Sequence, residues 1–354
     1  VTLAFRYEPT TTAVLFGEDS TERLPDELSR LRATKVMVIC TPGRRGAAEA
    51  IGRALGSRLV GLFPQAAMHV PIETVQSARA EARRLGADAI VTLGGGSAID
   101  LAKAVAFDVP LVTLAIPTTY SGAELTPFYG VTEAGIKRTY RELRVVPRVV
   151  IYDPCLTLGL PAEISATSGL NALAHCLEGL YAPDLNPAVT ALALEGVRRL
   201  VTSLPGVIAR PDDRALRAEA LCGAWLAASV VSAVKMGLHH RLCAILGGSY
   251  QLPHAAVHAA LLPHVMAFNA AAAPDALAAA AAILGQGRIG RAVFDFATAL
   301  GIEMALGRLG LRESDLDRVA AAALEAAPYH PRAATPDRLR ALLRDAWAGR
   351  RPET

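Results

Sequence analysis

Lysine is scarce in this sequence. Only Lys35, Lys103, Lys137 and Lys235 occur, so arginine carries nearly all of the 36 positive charges. The arginines are scattered and not interleaved with aromatics, which make up 5% of the chain, and the net charge is only +3. A basic stripe suited to a nucleic-acid backbone is missing, and no nucleic-acid partner is expected. Cysteine is sparse too: Cys40, Cys155, Cys176, Cys222 and Cys243 are odd in number and form no CxxC pair. This excludes a disulfide framework and fits reduced thiols in a cytoplasmic protein. The alanine-rich stretch from Ala270 to Ala282 is broken by Pro274 and Asp275, so it predicts no membrane span. The opening VTLAFRYEPTTT reads as neither a signal nor a transit peptide. Internal repeats and low-complexity linkers are also missing. What remains is a chain of 354 residues, 52% hydrophobic, with ample core for two domains.

The pattern changes near residue 157. Before it, strand and helix signals alternate. Lys35–Cys40, Ala89–Leu93, Pro110–Ile116 and Arg148–Tyr152 read as strands, with amphipathic helices over Ala47–Leu55 and Thr74–Leu85. Such alternation predicts an α/β N-terminal domain with a doubly wound parallel sheet over residues 1–157. Within Thr126–Tyr140, Glu133-Ala134-Gly135 reads as the turn of two short antiparallel strands. After Leu160-Pro161, Ala/Leu-rich segments at helical spacing dominate, predicting an all-α C-terminal domain over 158–354. The expected helices are Ala162–Tyr181, Pro187–Ser203, Asp213–Val234, His254–Asn269, Gly287–Leu300 and Pro336–Trp347.

Thr92–Ala106, TLGGGSAIDLAKAVA, carries the strongest local signal. A buried strand runs into Gly94, Gly95 and Gly96, where the missing Cβ atoms allow a sharp turn and close approach of a ligand. Ser97 reads as a helix N-cap with Asp100 three residues on, a shortened capping box. Amide groups at such a helix start favour a phosphate, which suggests a nucleotide pyrophosphate or, equally, a plain tight turn. The run is not of the G-x-G-x-x-G kind. Ligands of doubly wound sheets bind at the carboxyl ends of strands, where Thr41, Gly94–Ser97 and Pro117–Thr119 fall.

Histidines supply the second signal. Six of the eight lie between His175 and His264. Asn171 and His175, four apart on one helix, share a face. His240 and His254 flank a helix–loop segment. The spacing fits either ordinary core histidines or a three-histidine cluster with an oxygen ligand, a set that divalent metals accept.

Four segments, GGGSAIDLAKAVA, IPTTYSGAELTPFYGVTE, SGLNALAHCLEGLY and GLHHRLCAILGGSYQLPHAAVHAALLPH, occur in the order of the iron-containing (group III) alcohol dehydrogenases. The sequence resembles that superfamily from about Leu15 to Asn269, and within it the maleylacetate reductase branch. The resemblance implies a dehydroquinate synthase-like architecture, NADH or NADPH as cofactor, and a homodimer. The implied activity is reduction of the C=C bond of maleylacetate, or a closely related dicarboxylic enone, to 3-oxoadipate in aromatic-compound degradation. It implies that Gly94, Gly95, Gly96 and Ser97 hold the pyrophosphate with Asp100 capping beneath, and that Thr118, Thr119 and Thr126 line the cofactor cleft. Lys137 matches a lysine near the nucleotide. Thr41 stands where NAD-selective relatives carry an acidic residue, so with Arg44 and Arg45 nearby a 2′-phosphate is not repelled.

Metal-dependent relatives bind iron or zinc through an aspartate and three histidines, at positions matching Asn171, His175, His240 and His254. The amide of Asn171 cannot offset a divalent charge as a carboxylate does, so no metal is expected. Ala244 replaces a further family histidine. Without a metal, His175, His240 and His254 are the expected donors to the enolate oxygen that hydride addition creates. A dianionic substrate calls for cationic partners, for which Arg241, His239 and His258 are the candidates, with Phe128 and Tyr129 as possible walls. Two alternatives remain at this point: a metal-dependent alcohol dehydrogenase or carbonyl reductase of the same superfamily, and a dehydroquinate-synthase-like lyase.

Overall fold

The computed structural model describes residues 5, 7–285, 287–325 and 329–353. Contacts divide the chain into a unit spanning Thr10–Leu160 and a unit made of Pro161–Thr354 with Val1–Pro9. The division falls after Leu160 because Leu156 still packs into the core of the first unit, while Pro161 caps the first helix of the second.

In chain order the first unit contains β1 (Ala13–Phe16), α1 (Leu24–Arg30), β2 (Val36–Cys40), α2 (Arg45–Leu55), β3 (Leu59–Phe63) and α3 (Ile72–Leu85). These are followed by β4 (Ala89–Gly94), α4 (Gly96–Asp108), β5 (Val112–Pro117), β6 (Phe128–Glu133), β7 (Ile136–Arg141) and β8 (Val149–Tyr152). Six strands form one parallel sheet in the order β1-β8-β5-β4-β2-β3. Strands β2, β4 and β8 are buried along their whole length, which is why they read as unbroken apolar runs. Val36, Val38 and Cys40 join Leu24, Leu28 and Ile51 in one core layer, whereas Met37 and Ile39 join Val75, Leu101 and Val105 in the other. Edge strands β1 and β3 are only half-buried, and no sequence signal announced them.

From β2 the chain moves outward to β3 and then returns to the other side of β2 as β4. This is the switch point of a doubly wound sheet, with Cys40 and Leu93 paired at neighbouring strand ends. Thr41 and Gly94 follow directly. The hairpin of β6 and β7 closes at Glu133–Ile136 through Ala134 and Gly135, both at positive φ, as a two-residue primed turn requires.

The second unit is helical: α5 (Ala162–Gly179), α6 (Pro187–Ala209), α7 (Arg214–Ala233), α8 (Leu238–Ser249), α9 (His254–Ala270), α10 (Pro274–Ile283), α11 (Ile289–Ala299), α12 (Leu316–Glu325) and α13 (Pro336–Ala348). Side chains of Asn186, Asp213 and Thr335 cap α6, α7 and α13. The proline that breaks the alanine-rich run, Pro274, occupies the first position of α10, where its missing N–H costs nothing. Helix α5 packs on α6, α7 and α9 and buries fifteen of its eighteen residues. Helix α7 is long and apolar enough to cross a membrane, yet it packs against α5 and α6. It also buries Arg217, whose guanidinium donates to Ser165 Oγ at 2.8 Å and to the Pro211 carbonyl at 2.9 Å.

Candidate active site

The glycine turn departs from the expected capping box. Gly95 is the N-cap of α4, and no side chain caps the helix. The helix starts at Gly96, so Ser97 already lies in its first turn. Asp100 does not cap either: its Oδ2 accepts the Gly130 amide of β6 at 3.1 Å. Three adjacent glycines move the start two residues earlier, because a Cβ-free N-cap leaves the amides of the first turn open. A Cβ on Gly95 would lie 2.8 Å from Thr119 Oγ1, so the turn and the loop after β5 approach as closely as glycine allows. Thr119 Oγ1 is buried without a hydrogen-bond partner, and Thr118 N donates to the Gly94 carbonyl at 3.0 Å. A thirteen-residue helix with an uncapped start, beside an orphaned buried hydroxyl at the sheet's switch point, fits a dinucleotide phosphate.

The remaining cofactor candidates divide. Thr41 precedes a short turn of helix and its hydroxyl caps nothing. Arg45 is tied to Glu49 at 2.9 Å, whereas Arg44 has no ion pair among the described residues and is held below the usual arginine range by burial. Thr126 is structural: its hydroxyl and carbonyl accept from Lys103 Nζ at 3.3 and 2.7 Å. That buried ammonium also donates to the carbonyls of Ala123 at 2.5 Å and Phe128 at 2.8 Å, pinning the hairpin to α4. Burial pulls Lys103 down to about 8, against the opposing charges of Asp100 and Glu124. Lys103→Met should lower unfolding free energy by about 3 kcal/mol in a urea melt, the scale of one or two buried carbonyls left without a donor. Lys137 crosses Gly130 on the facing strand, and its charge reinforces the burial that lowers His69. The Phe128 side chain is exposed.

In the helical unit, α5 brings Asn171, His175 and Glu178 to one face at spacings of four and three. Helix α8 contributes His239, His240 and Cys243, and α9 contributes His254 and His258. The rings form a continuous set. His175 stacks on His240 at 5.0 Å between centroids, His240 lies 5.1 Å from His258, and His254 lies 4.5 Å from His258. The set is graded in depth: His254 is exposed, His240 half-buried, and His175, His239 and His258 are buried. His239 Nε2 and His258 Nδ1 share a hydrogen bond at 3.0 Å, with Cys243 Sγ at 3.6 Å.

His239 and His258, expected as cationic partners of a dianion, are bonded to each other. Burial, reinforced by neighbouring imidazoles, pushes His239 down to about 3 and His258 well below the ordinary histidine range. Both rings are buried, and their shared hydrogen bond needs one of them as an acceptor. Arg241 is exposed and has no ion pair among the described residues, so it is the cation still available to a carboxylate.

Glu178 was not singled out from sequence. Its carboxylate is buried, and Oε2 meets His240 Nδ1 at 2.5 Å. The amides of His239 and His240 donate to its two oxygens at 2.8 and 3.3 Å, at the start of α8. Burial raises this carboxyl, but the bond from His240 and the neighbouring imidazole charge outweigh it, and the net direction is down. It is ionised at neutral pH. Tyr181 Oη adds a donor at 3.4 Å and itself accepts from Asn269 Nδ2 at 3.2 Å. The signal was present, since Glu178 sits three residues after His175 on the same helical face.

A parallel sheet with a glycine turn at its switch point, and a helical unit with a histidine cluster on α5, α8 and α9, define the class. Residues 11–154 match the iron-containing alcohol dehydrogenase family, and residues 165–347 match the C-terminal region of the same family. The chain belongs to the iron-containing alcohol dehydrogenase family and is an oxidoreductase dependent on a nicotinamide dinucleotide. It is 46% identical over 353 residues to the maleylacetate reductase of Sphingobium indicum, covering 99% of this chain and 100% of that one. The maleylacetate reductase of Burkholderia cepacia is also 46% identical, over 349 residues and 99% of each chain. Among solved structures, the maleylacetate reductase of Agrobacterium tumefaciens superposes with a TM-score of 0.95 at 45% identity, covering 99% of this chain and 100% of that one. A 1,3-propanediol oxidoreductase superposes at 0.91 and 26% identity, covering 97% and 100%.

Proposed function

We propose that this protein reduces the carbon–carbon double bond of maleylacetate, or of a closely related dicarboxylic enone, to 3-oxoadipate, without a metal. The reading rests above all on Asn171. It places a neutral amide where metal-binding relatives need a carboxylate, inside a chain otherwise similar end to end to maleylacetate reductases. Among the described residues, a metal-type trio with donor atoms within 4.8 Å of one another is His239, Cys243 and His258, a different set from the family's. That trio is buried, and its two imidazoles are hydrogen-bonded to each other.

The turn at Gly94–Gly96, with Thr118 and Thr119, would hold the dinucleotide phosphates, and Thr41 with Arg44 would admit a 2′-phosphate. Bound there, a reduced nicotinamide supplies the hydride that adds to the alkene carbon β to the ketone. Charge then builds on the ketone oxygen, and preorganised donors in a dry site are the effective way to stabilise it. His175 and His240 can provide N–H groups there, and Arg241 offers a partner for a carboxylate. The same reading takes the protein to be a cytoplasmic homodimer serving aromatic-compound degradation.

Prolonged EDTA treatment tests it. Turnover of maleylacetate with NADH or NADPH should survive, and the treated protein should hold well under one metal per chain. Asn171→Asp should raise the affinity for Zn2+ by about tenfold or more, because a carboxylate restores charge neutralisation. EDTA-sensitive reduction of simple aldehydes, with no action on maleylacetate, would sink the proposal in favour of a metal-dependent alcohol dehydrogenase.

A further inference from the structure

Five histidines meet in the helical unit, and reduction of an enone needs one of them to deliver a proton. Their surroundings differ. His239 and His258 are bonded to each other through Nε2 and Nδ1. His175 is buried on α5 and stacks on His240. His254 is exposed at the first turn of α9. Among the described residues, His240 has a buried carboxylate against its ring, with Nδ1 at 2.5 Å from Glu178 Oε2. Both Glu178 oxygens already accept backbone amides of α8, so the carboxylate acts as an acceptor and Nδ1 carries the hydrogen. The other ring nitrogen, Nε2, is buried and has no hydrogen-bond partner. A buried, unpartnered nitrogen on a ring fixed from behind is arranged for a ligand.

We infer that Glu178 is a positioning residue: it holds His240 with Nδ1–H turned toward the carboxylate, so that Nε2 faces substrate and His240 is the histidine that delivers the proton. The inference rests on the enone-reductase reading for its reaction. In that reaction hydride forms a C–H bond at the carbon β to the ketone, and the alkene π electrons move to the enolate. The proton on His240 Nε2 passes to the α carbon, giving the saturated ketone and a neutral imidazole still donating through Nδ1 to Glu178. Solvent returns the proton. Glu178 also accepts two backbone amides of α8, so it fixes the helix that carries His240 as well as the ring.

Two variants and one spectrum test this. Glu178→Gln keeps an acceptor for the His239 amide but places an N–H against Nδ1, which reverses the His240 tautomer. The expected result is a fall in kcat of about a hundredfold, with KM for NADH unchanged. Glu178→Asp, which keeps the charge, should recover at least about tenfold of that loss. In the proton spectrum, a far-downfield imidazole N–H resonance should be present in the wild type and in Glu178→Asp but missing from Glu178→Gln. A kcat for Glu178→Gln within about threefold of wild type would overturn the inference, as would a resonance that survives the substitution. The spectrum needs no substrate. If the wild type fails to reduce maleylacetate, the functional reading falls while the spectrum still decides the tautomer.

Discussion

His240→Asn lowers the turnover of maleylacetate by about 10²- to 10⁴-fold, the range for loss of a positioned acid–base group, and leaves NADH affinity unchanged. The substitution is chosen for its geometry. An asparagine amide nitrogen sits close to where Nδ1 was, so Glu178 keeps a donor and the start of α8 keeps its acceptor. What disappears is Nε2. His240→Gln makes the complementary change, placing an amide near the Nε2 position while releasing Glu178. Both variants should fold, since the ring is half-buried and its closest partner is polar. Stopped-flow measurement of a single turnover separates the chemical step from product release. Combining His240→Asn with Glu178→Gln should cost little more than either alone, because groups acting as one unit are strongly non-additive. Full additivity would mean that the two act through separate routes.

Gly95→Ala raises KM for NADH and NADPH alike by about tenfold or more, equivalent to ~1.4 kcal/mol of cofactor binding. The added methyl would stand 2.8 Å from Thr119 Oγ1 and 2.9 Å from its Cγ2. Threonine is short and branched, so it cannot swing aside as a long side chain would. Either the loop after β5 or the first turn of α4 must give way, and both belong to the proposed phosphate cradle. Fluorescence titration with NADH reads the loss directly. The imidazole resonance of the helical unit should be untouched by this substitution. If cofactor affinity were unchanged, the glycine turn would be only a tight connection between β4 and α4.

How far the sequence revealed these features varied by residue. The strands β2, β4, β5 and β8 were legible because central strands buried on both faces need uninterrupted apolar residues. The hairpin turn was legible because Gly135 must adopt positive φ. Edge strands β1 and β3 were not, since half-buried segments of four or five residues look like loops. Ser97 resembled an N-cap by residue type, but three glycines before it allowed the helix to begin earlier. His175, His240 and His254 were legible as a cluster. The depth at which His239 and His258 lie was not, because position on a helix does not show which side another helix will cover. Glu178 was overlooked although its helical spacing put it beside His175. Spacing places a carboxylate on the same face as a histidine of its own helix, but not against a histidine that another helix brings to it.

Helix α5 has almost no outer face, and that sets which changes the protein can tolerate. A Cβ on Gly169 would lie 2.6 Å from Leu204, and one on Gly179 would lie 2.3 Å from Val230. Neither position bears a reactive group, yet each fixes how closely α5 seats against its neighbours. Asn171, His175 and Glu178 ride on that seating together. A change at an exposed position such as Ala244 stays local, whereas a single methyl on the concealed side of α5 would press on the seating that all three side chains share. Chemically silent residues there hold the histidines in place as firmly as any hydrogen bond.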